Sequence, residues 1–178
     1  EFNDIVNVIR KGTSSFKPSE RIATLLIAEA NLGIRIGDIL NLKLCDIRKD
    51  GERYAINIIE EKTKKHRYYT VPVQVYQFLE IYCLKNKIPS NRVIFDIGIR
   101  AVQKKIRKAC NYLNLPTMNF STHSFRKFFA TELYNNNDKD ILLVQRTLQH
   151  SSSSTTQTYI GIQQERIEEA LNNHVYLP

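Results

Sequence analysis

Tryptophan is absent from the 178 residues, methionine occurs once, and there are only three cysteines, six glycines and five prolines. So little glycine and proline excludes collagen-like and low-complexity chains, and the balanced remainder excludes intrinsic disorder. No apolar run approaches the ~20 residues that a bilayer-spanning helix needs, and no basic-then-apolar leader opens the chain. The expectation is therefore a soluble domain with no membrane partner. Cys45, Cys83 and Cys110 stand 38 and 27 residues apart, so no CxxC spacing offers a zinc site. An odd count with no pairing pattern fits three structural thiols in a reducing compartment. Clustered carboxylates are missing too, and with them the signature of a two-metal nuclease; neither metal nor cofactor is expected. The chain starts at Glu1 without an initiator methionine and reads as part of something longer.

What is present is ordinary in amount and uneven in place. Hydrophobic residues make up 42% and charged residues 25%, enough to bury a core in one domain. Lys and Arg exceed Asp and Glu by 26 to 18, a net charge of +8. The stretch from Ile97 to Thr131 holds no acidic residue but carries Arg100, Lys104, Lys105, Arg107, Lys108, Arg126 and Lys127. After it, three basic residues face six acidic ones, so the excess is local and reads as a nucleic-acid-facing patch.

Helical periodicity dominates. Ile22, Leu25, Leu26, Glu29 and Leu32 form a stripe that Ser19 can cap and Gly33 can end, and Val75, Phe78, Leu79 and Tyr82 form another. Ile99 to Leu113 places Ile99, Val102, Ile106, Ala109, Cys110 and Leu113 on one face and the basic residues opposite. Tyr54 to Ile59 and Arg67 to Val73 read as an antiparallel hairpin around a charged turn, with Val93 to Phe95 as a short third strand. Further on, Thr122 can cap a helix through Tyr134, and Asp138 or Asp140 one through Leu148. The fold class is α+β, mainly α-helical, with a small antiparallel sheet of two to three strands.

Taken singly, the polar motifs are ambiguous. His123 and Arg126, spaced i, i+3 near a helix start, suit an anion or form an exposed surface pair. Arg35 sits at a helix break, where an arginine usually caps the preceding helix or pairs with a neighbour such as Asp38. The run Ser151 to Ser154 suits a solvated linker or a helix cap, and any of nine tyrosines is more often core or surface than reactive.

Taken in order, Arg35, Lys62, His123-x-x-Arg126, His150 and Tyr159 resemble the catalytic set of the tyrosine recombinases, the phage integrase family. Gly33 to Ile47 resembles the family's first box (G-h-R-h-x-E/D-h-h-x-L). Lys62 to Pro72 resembles its lysine-bearing hairpin, and Thr122 to Thr131 with Leu148 to Tyr159 its second box. Two positions depart from the pattern: Gln149 stands where Leu-Gly usually precedes the histidine, and Lys64 and Lys65 compete with Lys62 for the lysine's role.

The resemblance implies a catalytic domain over residues 1–178, the C-terminal part of a recombinase whose N-terminal DNA-binding domain is not included. It implies site-specific recombination on double-stranded DNA through a covalent 3′-phosphotyrosyl intermediate. Type IB topoisomerase-like relaxation and a non-catalytic DNA-binding module are the alternatives. Tyr159 would be the nucleophile, Arg35 and Arg126 the phosphate clamps, His123 the base, His150 a phosphate donor and Lys62 the general acid, with Asp38 orienting Arg35 or a histidine. Lys64, Lys65, Arg100, Lys104, Lys105, Lys108 and Lys127 would meet DNA. Self-association as a tetramer on DNA follows, with Ile167, Ala170, Leu171 and Val175 as a docking stripe, in the cytoplasm of a bacterium or under a phage or mobile element.

Overall fold

The computed structural model describes residues 1–150 and 152–160, the last two by their backbone alone. The stripe from Ile167 to Val175 lies outside these. Eight helices and one three-stranded sheet are present among the described residues, in the order α1 (Phe2–Lys11), α2 (Glu20–Leu32), α3 (Ile36–Asn41), β1 (Ile47–Asp50), β2 (Arg53–Ile59), β3 (His66–Val71), α4 (Val73–Lys85), α5 (Ile99–Tyr112), α6 (Thr122–Asn135), α7 (Ile141–Leu148) and α8 (Ser153–Ile160). The chain divides into two compact units, Glu1–Phe129 and Ala130–Pro178.

In the first unit, α2 is the central helix, with Ile22, Leu25, Leu26 and Leu32 at 2% exposure or less. Ser19 caps it by accepting from the Ile22 amide, and Gly33 ends it in the left-handed conformation at φ 58°. Helix α1 packs on α2 and α5 through Ile5, Val6 and Ile9. Helix α5 buries Val102, Ile106, Ala109 and Cys110 and turns Arg100, Lys104, Arg107 and Lys108 to solvent, as its periodicity predicts.

The sheet is antiparallel in the order β1-β2-β3, with Tyr54 opposite Val71 and Ile59 opposite His66. The expected hairpin is therefore present, but the third strand is Ile47–Asp50 on the other side of β2. Val93 to Phe95 is not a strand; Val93 makes only an isolated bridge to Lys43. Ile47 is the single buried residue of β1, so its strand character comes from pairing with β2 and leaves no hydrophobic alternation to read. Strand β3 ends at Val71 because Pro72 cannot donate to the ladder and begins α4 instead.

In the second unit, Asp140 caps α7 by accepting from the amides of Leu142 and Leu143. The helix ends in a Schellman motif: the Gln149 amide donates to Arg146 and the His150 amide to Gln145, with Gln149 at φ 54°. Helix α8 packs on α7. Ser152 caps α8 by accepting from the Thr155 amide, so the serine run is a helix start.

Candidate active site

The first box is a tight passage from α2 to α3. Gly33 is required twice over: its φ is positive, and a Cβ there would lie 2.3 Å from two ring carbons of Phe129 on α6. Two residues on, Arg35 occupies the N-cap position of α3 with extended backbone. Its side chain does not cap α2. That task falls to Arg67 of β3, whose Nη2 donates to the Gly33 carbonyl at 3.4 Å. The Arg35 guanidinium instead donates to Oε2 of Glu60, forming an ion pair in which Arg35 keeps 19% side-chain exposure and Glu60 none.

Glu60 closes β2 and is the hub of this region. Oε1 accepts from Arg67 Nη1 at 2.8 Å, and Oε2 accepts from Arg35 and from the Thr63 hydroxyl at 2.6 Å. Burial pushes the Glu60 carboxyl up, but the hydrogen bonds from Thr63, Arg67 and Arg35 outweigh it and hold it at about 2. It is a carboxylate at every ordinary pH. The Glu60 amide and carbonyl also close the turn, pairing with the Lys65 carbonyl and the Lys64 amide.

Lys62 lies on that turn, exposed, with Lys64 and Lys65 beside it and also exposed. Asp38, expected to orient Arg35 or a histidine, anchors the turn instead. Its Oδ1 accepts from the Glu61 amide at 2.8 Å, and its hydrogen bonding thus reaches the hairpin rather than Arg35. Burial raises its carboxyl, the Glu61 amide pulls it back, and the nearby Glu60 charge adds to the rise. Gly37 permits the approach, since a Cβ there would meet Glu61 Oε2 at 2.8 Å, and Asn41 donates to that same oxygen.

Helix α6 carries His123 and Arg126. Thr122 is its first residue rather than its cap; the Ser121 hydroxyl accepts from the His123 amide at 3.2 Å. The two side chains do not form an exposed pair, because Arg126 is 2% exposed while His123 faces solvent. Burial lowers the His123 imidazole below its ordinary value, and the charges of Arg126, Lys62 and Arg35 lower it further. All three cations and His123 lie in the first unit, and each of the three charges is felt at the imidazole. At neutral pH this His123 is a neutral ring, able to accept a proton.

His150 belongs to the second unit. The Schellman motif sets its backbone, and its Nδ1 lies 3.1 Å from the hydroxyl of Thr156, a buried residue of α8. The backbone of Tyr159 lies on α8, one turn after Thr156. Among the proposed DNA contacts, Arg100, Lys104, Lys108 and Lys127 are exposed. Lys105 has another occupation: its ammonium donates to the Lys17 carbonyl at 2.7 Å and sits 4.9 Å above the Phe16 ring. Among the described residues no group of three or more His, Cys, Asp and Glu could hold a metal ion, and no helix is long and apolar enough to cross a membrane.

Sequence reasoning missed Glu60, Arg67 and the significance of Glu29. Each left a trace. Arg67 shares the inward face of β3 with Tyr69 and Val71, so a charge there needs a buried partner. Glu29 interrupts the apolar stripe of α2 and is fully buried.

This chain is similar to tyrosine recombinases and integrases along most of its length. It is 25% identical over 163 residues to the tyrosine recombinase XerC of Caldanaerobacter subterraneus, covering 87% of this chain and 45% of that protein. It is 32% identical over 148 residues to the "Probable integrase/recombinase YoeC" of Bacillus subtilis, covering 79% and 77%. Its fold matches the XerH site-specific recombinase in a post-cleavage complex with its difH substrate, with a TM-score of 0.69 at 23% identity over 96% of this chain and 50% of that one. It also matches the catalytic domain of bacteriophage HP1 integrase, with a TM-score of 0.64 at 18% identity over 97% and 90%. The chain spans about half the length of the Xer relatives it matches. The phage integrase family matches residues 1–166, and the chain belongs to that family.

Proposed function

We propose that this chain is the catalytic part of a longer tyrosine recombinase that cuts and rejoins double-stranded DNA at specific sites. The observation that carries the reading is the Glu60 carboxylate, which holds Arg35 beside the turn bearing Lys62 in a chain whose residues 1–166 match the phage integrase family. Arginine, lysine and imidazole side chains acting together suit a phosphodiester whose negative charge grows in the transition state. Arg35 and Arg126 bind the non-bridging oxygens, their planar forks matching the phosphate. The Tyr159 hydroxyl attacks phosphorus while His123 takes its proton, since a tyrosine hydroxyl in water gives its proton up only near pH ~10. The P–O5′ bond breaks, Lys62 gives its proton to the departing oxygen, and DNA remains joined to the protein as a 3′-phosphotyrosine. A 5′-hydroxyl from a partner strand reverses the step, so the phosphoester energy is conserved. His150, oriented through Nδ1 by Thr156, donates from its other nitrogen to a phosphate oxygen. Assembly as a tetramer on two DNA sites, within the cytoplasm of a cell hosting the parent element, completes the reading.

The test is adduct formation. The full protein incubated with a nicked cognate site should give a denaturant-resistant complex whose cross-linked peptide contains Tyr159, and Tyr159→Phe should give none. A cross-link through a serine or another tyrosine would overturn the assignment. Relaxation of supercoils without strand exchange would point to a topoisomerase instead.

A further inference from the structure

We propose that Glu60 is a positioning residue that couples the phosphate-clamping Arg35 to the turn carrying the general acid Lys62, with Arg67 keeping the cluster cationic. This rests on the catalytic reading above and deepens it.

Three observations converge. First, one carboxylate oxygen, Glu60 Oε2, accepts from both Arg35 and Thr63, and Thr63 follows Lys62 directly. A phosphate that draws Arg35 into a fixed position therefore acts on the same atom that holds the Lys62 turn. Second, the Thr63 hydroxyl that donates to Glu60 also accepts from the Lys65 amide at 3.3 Å, and the Glu60 carbonyl accepts from the Lys64 amide. The turn is organised around Glu60, through its side chain and its backbone, with Asp38 holding the Glu61 amide, while Lys62 itself stays exposed. Third, Glu60 has two guanidinium partners. Paired with Arg35 alone it would cancel the charge that the phosphate needs. Arg67, 1% exposed and bound to the other oxygen at 2.8 Å, restores a net charge of one positive unit, and Arg35, at 19% exposure, is the guanidinium that reaches solvent.

A buried ion cluster is poor evidence of a stabilising device, because desolvation commonly offsets the attraction and apolar substitutes do as well. Its geometry here serves orientation. Held by one Nη on Glu60, the Arg35 guanidinium plane loses most of its rotamer freedom before DNA arrives, and less entropy remains to be lost in the clamp.

The experiment measures single-turnover cleavage by the full protein at saturating DNA, for the native protein, Glu60→Gln and Glu60→Asp. Three nicked substrates are used: ordinary DNA, DNA with a 5′-bridging sulfur at the cut, and DNA with a methylphosphonate there. The sulfur leaving group needs no proton, so it bypasses Lys62; the methylphosphonate lacks the charge that Arg35 holds. On ordinary DNA Glu60→Gln should slow cleavage about 10- to 100-fold, as loss of a supporting partner commonly does, with DNA affinity nearly unchanged. Each modified substrate should recover part of that loss. Glu60→Asp, keeping the charge, should fall between, and Glu60→Gln combined with Lys62→Ala should be slowed by less than the product of the two single factors. An equal slowing on all three substrates, recovery on only one, or strict additivity in the double variant overturns the proposal. Failure of the native protein to cleave any substrate strikes the catalytic reading instead, and the two failures are distinguishable. Melting curves for each variant separate loss of fold, and Glu60→Asp carries the substrate comparison if Glu60→Gln does not fold.

Discussion

Two buried glutamates illustrate how environment alone sets a residue's chemistry. Glu60 is surrounded by donors and stays ionised with its carboxyl at about 2, whereas Glu29 on α2 has neither oxygen hydrogen-bonded among the described residues. Burial pushes the Glu29 carboxyl from 4.5 to about 9, partly opposed by the charge of Arg126, so the folded protein holds it neutral at pH 7. The consequences for stability have opposite signs. Between pH 4.5 and about 9 folding takes up a proton at Glu29, and stability falls by up to about 1.4 kcal/mol per pH unit as pH rises. Glu60 contributes stability that is present above pH 4.5 and lost as pH falls toward about 2. For these two groups together the balance is most favourable near pH 4.5. Glu29→Gln keeps the shape and removes the proton, so thermal unfolding should show the variant gaining on the native protein as pH rises from 5 to 8. Parallel pH profiles for the two proteins would show Glu29 to be ionised in the fold.

At the scale of elements, the ends of helices do the positioning. Helix α2 stops at Gly33 so that the chain can turn within two residues to Arg35, and Phe129 occupies the space a side chain would need. Gly33→Ala adds left-handed strain of about 1–2 kcal/mol and overpacking of about 1–3 kcal/mol. The urea midpoint should fall by the equivalent of roughly 2–5 kcal/mol, and a loss under 1 kcal/mol would mean that Phe129 moves aside freely. Helix α7 ends with the same backbone conformation at Gln149, where the family pattern has glycine. Gln149 bears the strain of a left-handed residue, while the two Schellman bonds hold His150 in place. Ser19, Gly33 and Asp140 were legible because a cap acts within four residues of itself. The third strand was not legible, because β1 has a single inward residue and exists only by virtue of the strand it pairs with.

For the whole molecule the relevant quantity is charge in space. Four exposed cations, Arg100, Lys104, Arg107 and Lys108, lie on α5 with no acidic residue among them, and a duplex there would be held through its phosphates. Replacing Arg100, Lys104 and Lys108 by alanine should weaken all DNA sequences alike and flatten log K against log salt by roughly one unit per lost contact. An unchanged slope would put DNA on another face. Lys105→Ala should behave differently, lowering stability with little effect on that slope, because its ammonium is already bound to Lys17 and Phe16.

Family membership and the mainly helical fold are written in the chain's local patterns, which also offer a candidate reactive set in order. Those residues lie in short local motifs at helix ends and on a hairpin turn, and local motifs are written in consecutive residues. Only the tertiary structure decided what holds them. Arg35 binds Glu60 from 25 residues away, Asp38 binds the Glu61 amide from 23 away, and Lys105 reaches Lys17 across 88. A buried charge must find a partner, but which partner it finds depends on the face of the strand or helix it shares with others. That is settled by packing, at sequence separations over which no periodicity or cap extends.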